Sequence, residues 1–301
     1  MKYSDIVSFR KDLLFEGAVQ INWFESNEEL AKKAAEHYVF HGPTYHGAEQ
    51  GDFKGSEHVL FDTANFTLDI LNHASGLDMD EPFALAIAGY GTGKSHLGVT
   101  LASLFSDPRS HVADRILKNI ELADKKIGGQ VGEILENIGK PFIVVAINGM
   151  KDFYLCGEII RQILSVLNSA GVDTSVLKNL RPRFKVAANF TESFYEGLKD
   201  EFHKQFGQPV GKNEIINLLN NQDESVFKKV NSIYEERLAM PIPAAGQEAL
   251  HEFITETNDH FCGPGKPFAG IVILFDEFGR YLEFAVERPH IAGSGALQQL
   301  F

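Results

Sequence analysis

Short apolar runs alternate with long stretches of helical periodicity along this chain of 301 residues. Three such runs lie at residues 83–87, 141–148 and 271–275. Runs of this length are typical of strands buried on both faces, because a core helix needs a longer periodic pattern. Strands of this kind form parallel sheets with helices packed on both faces. We therefore predict an α/β fold built on a parallel sheet.

Amphipathic helices are predicted around these strands. Ser26-Asn27-Glu28-Glu29 has the form of a capping box and begins the first helix, and a second helix is predicted at 62–73. Between 171 and 262 the pattern is almost entirely helical, which predicts a helical insertion between two parts of the sheet. The remaining predicted helices lie at 94–105, 111–123, 131–138, 156–168, 184–206, 212–219, 224–238, 246–261 and 279–287.

The order of the elements predicts four regions. They are an N-terminal region of helices and loops at 1–78, the first part of a nucleotide-binding core at 79–170, the helical insertion at 171–262, and the rest of the core at 263–301. Residues 296–301 have the pattern of a helix cut in its first turns. A complete core of this class has further strands, so we expect the chain to be the N-terminal part of a longer protein.

Composition excludes several classes of protein. Hydrophobic residues make up 44% and charged residues 23% of the chain, as in ordinary globular proteins, and no apolar stretch approaches the length of a membrane span. Cys156 and Cys262 lack the spacing of a metal site or a disulfide framework, which favours free thiols and a cytoplasmic location. The net charge of −13 argues against a broadly basic nucleic-acid surface but allows a local basic groove.

The first apolar run leads directly into a P-loop. Its residues are Ala88-Gly89-Tyr90-Gly91-Thr92-Gly93-Lys94-Ser95, followed by a helix. Such a glycine-rich turn lets backbone N–H groups converge on one anion, and the helix N-terminus adds its dipole. Ala88 stands where the usual pattern has glycine, which is a mild departure. The order of strand, loop, Lys-Ser and helix predicts a site for nucleotide phosphates.

Each residue of the loop has an expected role. Gly91 and Gly93 free the backbone for close approach, Lys94 reaches the β- and γ-phosphates, and the Ser95 hydroxyl binds Mg²⁺. The predicted ligand is ATP, because the guanine-reading Asn-Lys-x-Asp pattern is not visible in the sequence. The predicted binding residues are Gly89, Tyr90, Gly91, Thr92, Gly93, Lys94, Ser95 and His96. A segment that covers the adenine is expected before the loop, at 53–66.

The last apolar run supplies the acidic residues that a metal nucleotide needs. Asp276 and Glu277 follow it directly, at the carboxyl end of a predicted strand, where ligands bind in open α/β sheets. We expect Asp276 to hold Mg²⁺ and Glu277 to polarise the attacking water. An isolated Asp-Glu pair is more often a solvated strand end. Because the same chain contains a P-loop, we favour the metal-binding and catalytic roles.

The two motifs together resemble a known family. The residues that carry the resemblance are Gly89-Tyr90-Gly91-Thr92-Gly93-Lys94-Ser95-His96-Leu97 and Phe275-Asp276-Glu277-Phe278-Gly279-Arg280-Tyr281-Leu282-Glu283. They are similar to those of the large P-loop ATPases of bacterial phage-defence islands, of the BREX and phosphorothioation-dependent kinds. The P-loop is common to many ATPases, whereas the Asp-Glu-Phe-Gly-Arg-Tyr extension is more specific.

The resemblance implies an AAA+-like ATPase within a multi-protein anti-phage complex. It further implies that the chain acts on DNA, forms a homo-oligomer and binds other proteins of the defence system. We expect no membrane partner. One alternative is a nucleotide-gated scaffold, in which ATP binding switches assembly and hydrolysis is slow or absent. Another is a small-molecule kinase, which the acidic Glu277 and the long helical insertion argue against. A γ-phosphate sensor and an arginine finger are expected beyond residue 301.

Other polar residues have two interpretations each. His37, His41 and His46 are either a zinc site or, as we favour, histidines of helix ends and loops. A short basic cluster consists of Lys178, Arg181, Arg183 and Lys185. It either binds DNA phosphates or forms part of the solvated surface.

Three further residues near the predicted site have two alternative roles each. Arg280 and Arg288 are arginine fingers or local ion-pair partners of Glu283 or Glu287. Asn148 lies near the γ-phosphate or caps the turn that follows its strand.

Overall fold

The structure, a computed structural model, describes residues 18–43, 62–77, 83–87, 89, 91–180, 182–221, 223–238, 240–242 and 250–292. Within these residues the chain is rich in helices and contains one two-stranded parallel sheet. Contacts divide the chain into two units. The first comprises Met1–Met150 and Gly263–Phe278, and the second comprises Lys151–Cys262 and Gly279–Phe301.

The first unit contains the sheet and the helices that cover it. The helices are α1 (Trp23–Ser26), α2 (Glu28–Glu36), α3 (Thr63–Ala74), α4 (Lys94–Ser106), α5 (His111–Ala123) and α6 (Lys125–Ile138), and the strands are β1 (Ile143–Asn148) and β2 (Ile271–Asp276).

The second unit is helical in its described residues. Its helices are α7 (Leu155–Ser169), a 3₁₀ helix (Ser175–Leu180), α8 (Pro182–Phe194), α9 (Lys199–Phe206), α10 (Lys212–Asn220), α11 (Glu224–Leu238), α12 (Leu250–Phe261), α13 (Phe278–Glu287) and α14 (Pro289–Ala292); α13 begins at the last residue of the first unit.

The two strands pair in parallel and in simple register. Ile143 lies opposite Ile271, and the pairing continues to Asn148 opposite Asp276. The side chains of β1 from Ile143 to Ile147 are buried, whereas most of β2 is only half-buried. Parallel pairing of the second and third apolar runs is therefore confirmed, with β1 fully covered and β2 partly covered.

We infer that helix α4 runs antiparallel to the strands, since Ile21 contacts the Cβ position of Gly98 in its first half and the neighbouring Asn22 contacts Asn148 at the end of β1. It packs on both β1 and β2, and its C-terminal Phe105 accepts a hydrogen bond from the N–H of Phe142, which precedes β1 (2.9 Å). A helix of 13 residues is about 20 Å long, and a strand of 6 residues spans about the same distance. The start of α4 consequently lies at the edge of the sheet where both strands end.

The predicted strand at 83–87 is wrong for the described structure. These residues have no regular secondary structure, and the side chains of Phe83, Leu85 and Ile87 are 48%, 56% and 79% exposed. A strand needs a neighbour for its backbone hydrogen bonds, and within the described residues β1 and β2 pair only with each other. The described residues thus form a parallel α/β core with two strands, one fewer than the sequence predicts.

Several helix ends differ from the predicted ones because local caps decide them. Helix α2 begins after Asn27, whose side chain accepts from the N–H of Leu30, rather than at Ser26. Helix α6 begins at Lys125, six residues before the predicted start, because the Asp124 carboxylate accepts from the N–H groups of the first turn.

In the second unit, the single helix predicted at 184–206 is two helices, α8 and α9, separated by a turn. The buried Tyr195 stands in this turn, and its hydroxyl donates to the carbonyl of Val210. The helix predicted at 296–301 lies outside the described residues.

The second unit covers more of the chain than the helical insertion predicted at 171–262. Helix α7 and the residues from Gly279 onward group with it by contacts, whereas the sequence pattern assigns both to the predicted nucleotide-binding core. Aromatic side chains dominate the packing of this unit, with Phe184, Phe190, Tyr195 and Phe202 buried in one apolar cluster. It therefore has a hydrophobic core of its own.

Candidate functional site

The P-loop has the backbone geometry that its glycines allow. Gly91 and Gly93 adopt left-handed conformations, with φ of 76° and 89°. Gly93 is the N-cap of α4 and has no side chain to occupy the first N–H groups of the helix. These N–H groups therefore face an anion-binding position at the positive end of the helix dipole. Ala88 and Tyr90 lie outside the described residues.

The lysine of the loop folds back on the loop itself. The Nζ of Lys94 donates to the carbonyl of Gly89 (2.8 Å), and the hydroxyl of Thr92 donates to the same carbonyl (2.8 Å). The Lys94 side chain is exposed, whereas Ser95 is half-buried. The ammonium group thus contacts a neutral carbonyl of the loop, which an anionic ligand can replace with a stronger, charge-assisted contact.

The acidic residues stand at the other half of the same edge. Asp276 ends β2 directly opposite Asn148, which ends β1. One carboxylate oxygen of Asp276 accepts from the N–H of Glu277 (3.0 Å), and its carbonyl accepts from the N–H of Gly149 (2.9 Å). The carboxylate is thereby fixed at the strand end, with further lone pairs available to a cation.

Glu277 has an unusual backbone. Its φ is 56°, and it is the one non-glycine residue with a positive φ among the residues that the structure describes. The left-handed conformation costs a residue with a Cβ about 1–2 kcal/mol. Its side chain is exposed. A residue held in such a conformation is typical of functional sites, where the position of a side chain outweighs local stability.

The antiparallel course of α4 brings the two motifs to one edge. The start of α4, with Lys94 and Ser95, lies where β1 and β2 end, and Asp276 and Glu277 are there as well. This edge combines an anion-binding helix start, a hydroxyl and a carboxylate. Mg²⁺ is bound in nucleotide sites by one or two protein oxygens plus phosphates and waters, so these residues fit a magnesium nucleotide.

A metal site formed by protein side chains alone has no support among the described residues. The described residues contain no group of three or more histidine, cysteine, aspartate or glutamate side chains that could hold a metal ion. His46 lies outside the described part, and the Nδ1 of His37 contacts the carbonyl of Lys33 in its own helix (2.8 Å). This contact agrees with the helix-end interpretation of His37.

Asn148 has both a structural contact and a place at the site. Its side-chain oxygen accepts from the N–H of Met150 (3.0 Å), as expected of a cap for the following turn. Its amide nitrogen donates to the side-chain oxygen of Asn22 (3.5 Å), which brings the segment before α1 to the strand ends. The sequence pattern contains no signal for Asn22.

The start of α4 is held from the side by a residue that the sequence did not indicate. The ring of Tyr38 lies 3.9 Å from the position that a Cβ on Gly93 would take, and it meets the His96 ring edge-on, with ring centroids 5.0 Å apart. The Nε2 of His96 donates to the carbonyl of Ala34 (2.7 Å). Burial lowers the pKa of His96. His96 therefore contacts the end of α2, and its ring is directed at protein.

The arginines after the acidic strand form ion pairs. Arg280 contacts Glu283 (2.9 Å), one of the two partners considered from sequence, whereas Arg288 contacts Asp152 (3.2 Å) rather than Glu287. More than half of each side chain is exposed, so neither pair contributes much stability.

Arg183, a member of the predicted basic cluster, does not lie at the surface. This side chain is buried, and its guanidinium lies over the rings of Tyr154, Phe184 and Phe227 at 4.8 to 5.6 Å from their centroids. Phosphate contact by Arg183 is therefore excluded in this conformation. The side chains of Lys178 and Arg181 lie outside the described residues.

Comparisons with known proteins assign the chain to no family. The chain matches no protein-family model, no curated protein and no solved structure. Among the described residues, no helix has the length and apolar character needed to cross a membrane.

Proposed function

We propose that this chain binds ATP together with Mg²⁺ and hydrolyses it. The observation that carries the proposal is the meeting of three features at one sheet edge: the P-loop start of α4, the end of β1 and the acidic end of β2. The left-handed backbone of Glu277 at this edge is a second support, since folding alone favours glycine there.

The residues have distinct roles in this proposal. Backbone N–H groups from Gly91 to Ser95 bind the phosphates, and Lys94 exchanges the Gly89 carbonyl for phosphate oxygens. Ser95 and Asp276 hold Mg²⁺, which neutralises charge on the transferring phosphoryl group. Glu277 accepts a proton from the attacking water or orients that water.

The biological setting follows from resemblance alone. The Asp-Glu-Phe-Gly-Arg-Tyr segment at 276–281 supports membership of an AAA+-like anti-phage ATPase complex that acts on DNA as a homo-oligomer in the cytoplasm. A nucleotide-gated scaffold is the alternative. It is favoured by the ion pairs of Arg280 and Arg288, which occupy the side chains considered as arginine fingers.

Two variants of the full chain test the proposed function. Lys94→Ala removes the phosphate-binding cation, so we expect MgATP binding in calorimetry to be lost. Glu277→Gln keeps the shape but removes the base, so binding remains while phosphate release falls by a factor of about 100 or more. Phosphate release should be measured with and without DNA. Unchanged binding in the Lys94 variant would refute the site, and unchanged hydrolysis in the Glu277 variant would refute the assigned base.

A further inference from the structure

Helix α2 lies against α4 close to the P-loop. Ala34 and Ala35, near the C-terminal end of α2, are completely buried, as is Val99 in the second turn of α4. Ala34 and Val99 belong to one apolar cluster, which Val19 and Trp23 extend. The interface therefore fixes the end of α2 beside the first turn of α4.

The first polar contact across this interface involves His96, the third residue of α4. Its Nε2 lies 2.7 Å from the carbonyl oxygen of Ala34. Because a carbonyl can only accept, Nε2 must carry a proton, which selects one tautomer of the neutral ring. The contact thus fixes both the position and the orientation of the ring on the turn that begins with Lys94.

The second contact involves Tyr38, which follows α2 and is buried. Its ring packs edge-on against His96 and against Phe40, and one ring edge faces the left-handed Gly93. The carbonyl of Tyr38 accepts from the side-chain amide of Asn119 on α5 (3.2 Å). Tyr38 is therefore held from α5 on one side and backs the P-loop turn on the other.

We propose that Ala34, Tyr38 and His96, here called the P-loop bracket, position the P-loop turn for the polyphosphate of a nucleotide. A loop that must order itself on binding loses affinity to conformational entropy, and a loop held beforehand does not. His96 and Tyr38 are positioning residues in this proposal, since they act through Gly93 and the first turn of α4. The identity of the ligand rests on the proposed function, whereas the positioning of the turn does not.

Hydrogen exchange of the ligand-free full chain tests the positioning directly. His96→Phe keeps an aromatic ring against Tyr38 but removes the donor to Ala34, and we expect the hydrogen-bonded backbone amides at 97–100 of α4 to exchange about fivefold faster. His96→Gln restores a donor at similar reach and should return the rate to near that of the wild type. Val131→Ala is the control for a general loss of stability, because Val131 is completely buried in α6, away from the bracket, and its loss should leave these amides unchanged.

Binding measurements add the ligand. MgADP and inorganic pyrophosphate share the polyphosphate, so His96→Phe should raise the Kd of both by the same factor of about five, and His96→Gln should reverse the loss. A loss confined to MgADP would place the bracket at the nucleoside and overturn its role toward phosphate.

The two proposals fail in different ways. Equal exchange at 97–100 in the wild type and His96→Phe, equal acceleration in Val131→Ala, or no restoration by His96→Gln would each overturn the bracket. A wild-type chain that binds neither MgADP nor pyrophosphate would overturn the proposed function, and the exchange rates would then decide the bracket on their own.

Discussion

Glu277 combines a proposed catalytic role with a backbone conformation that local stability disfavours. Its φ of 56° lies in the region that suits glycine, and its exposed side chain gains nothing from burial. The sequence motif predicted a carboxylate here but could not predict the backbone, which depends on how β2 ends beside β1. The conformation directs the chain from the end of the strand into α13, which begins at the next residue.

The cost of this conformation can be measured with two variants that both lack the carboxylate. We expect Glu277→Gly to be more stable than Glu277→Ala by about 1 kcal/mol, because only alanine retains the Cβ that disfavours a positive φ. Both variants should lose ATP hydrolysis. Urea unfolding of the two proteins gives the comparison, and equal stability would show that Glu277 is not held in the left-handed region.

Residues of the site divide into those that a motif specifies and those that packing supplies. Lys94, Ser95 and Asp276 are assigned from motifs, because phosphate and Mg²⁺ demand particular groups at fixed places in a short segment, and their roles stay a prediction. Asn22 could not be predicted, since its partner Asn148 is 126 residues away. Contacts over such separations exist only after folding, and a single sequence carries no local pattern for them.

At the scale of elements, caps and close packing explain which helices were predicted well. Helix α5 has the predicted bounds because Ser110 caps it, its hydroxyl accepting from the N–H of Ala113 (3.1 Å). Helix α6 was predicted too short because Gly128 and Gly129 weaken helical propensity in its first half. The structure gives the reason for one of these glycines, since a Cβ on Gly128 would lie 2.5 Å from the Cγ of Glu121 in α5 and 2.8 Å from its backbone.

The neighbouring glycines of α6 provide a matched test of this packing. Gly128→Ala should destabilise the chain by about 1–3 kcal/mol, because the new methyl group forces α5 and α6 apart at a backbone contact. Gly129→Ala should instead stabilise it by about 0.5–1 kcal/mol, since nothing lies within 4 Å of its Cβ position and alanine favours the helix. Thermal or urea unfolding measures both effects, and a stable Gly128→Ala protein would contradict the close approach of the two helices.

At the scale of the whole molecule, the main difference between expectation and structure is the size of the sheet. Apolar runs predicted three strands, and two of them pair in parallel as expected. The first run, 83–87, has the apolar composition of a buried strand but is exposed in the structure. Apolar composition indicates that a segment can form a buried strand if another strand pairs with it. It does not indicate whether such a pairing strand is present.

The exposure of the first run leads to a direct test of sheet size. Leu85→Ala should change the free energy of unfolding by no more than about 0.5 kcal/mol, because the side chain is already more than half exposed. Val145→Ala, in the centre of β1 and completely buried, should cost about 2 kcal/mol as the control for a residue within the sheet. If Leu85→Ala costs as much as Val145→Ala, residues 83–87 form a buried strand in solution, and the P-loop follows a third strand as its motif requires. If the two differ as expected, residues 83–87 are not a buried strand, and α4 with the P-loop bracket must hold the loop in place of a preceding strand.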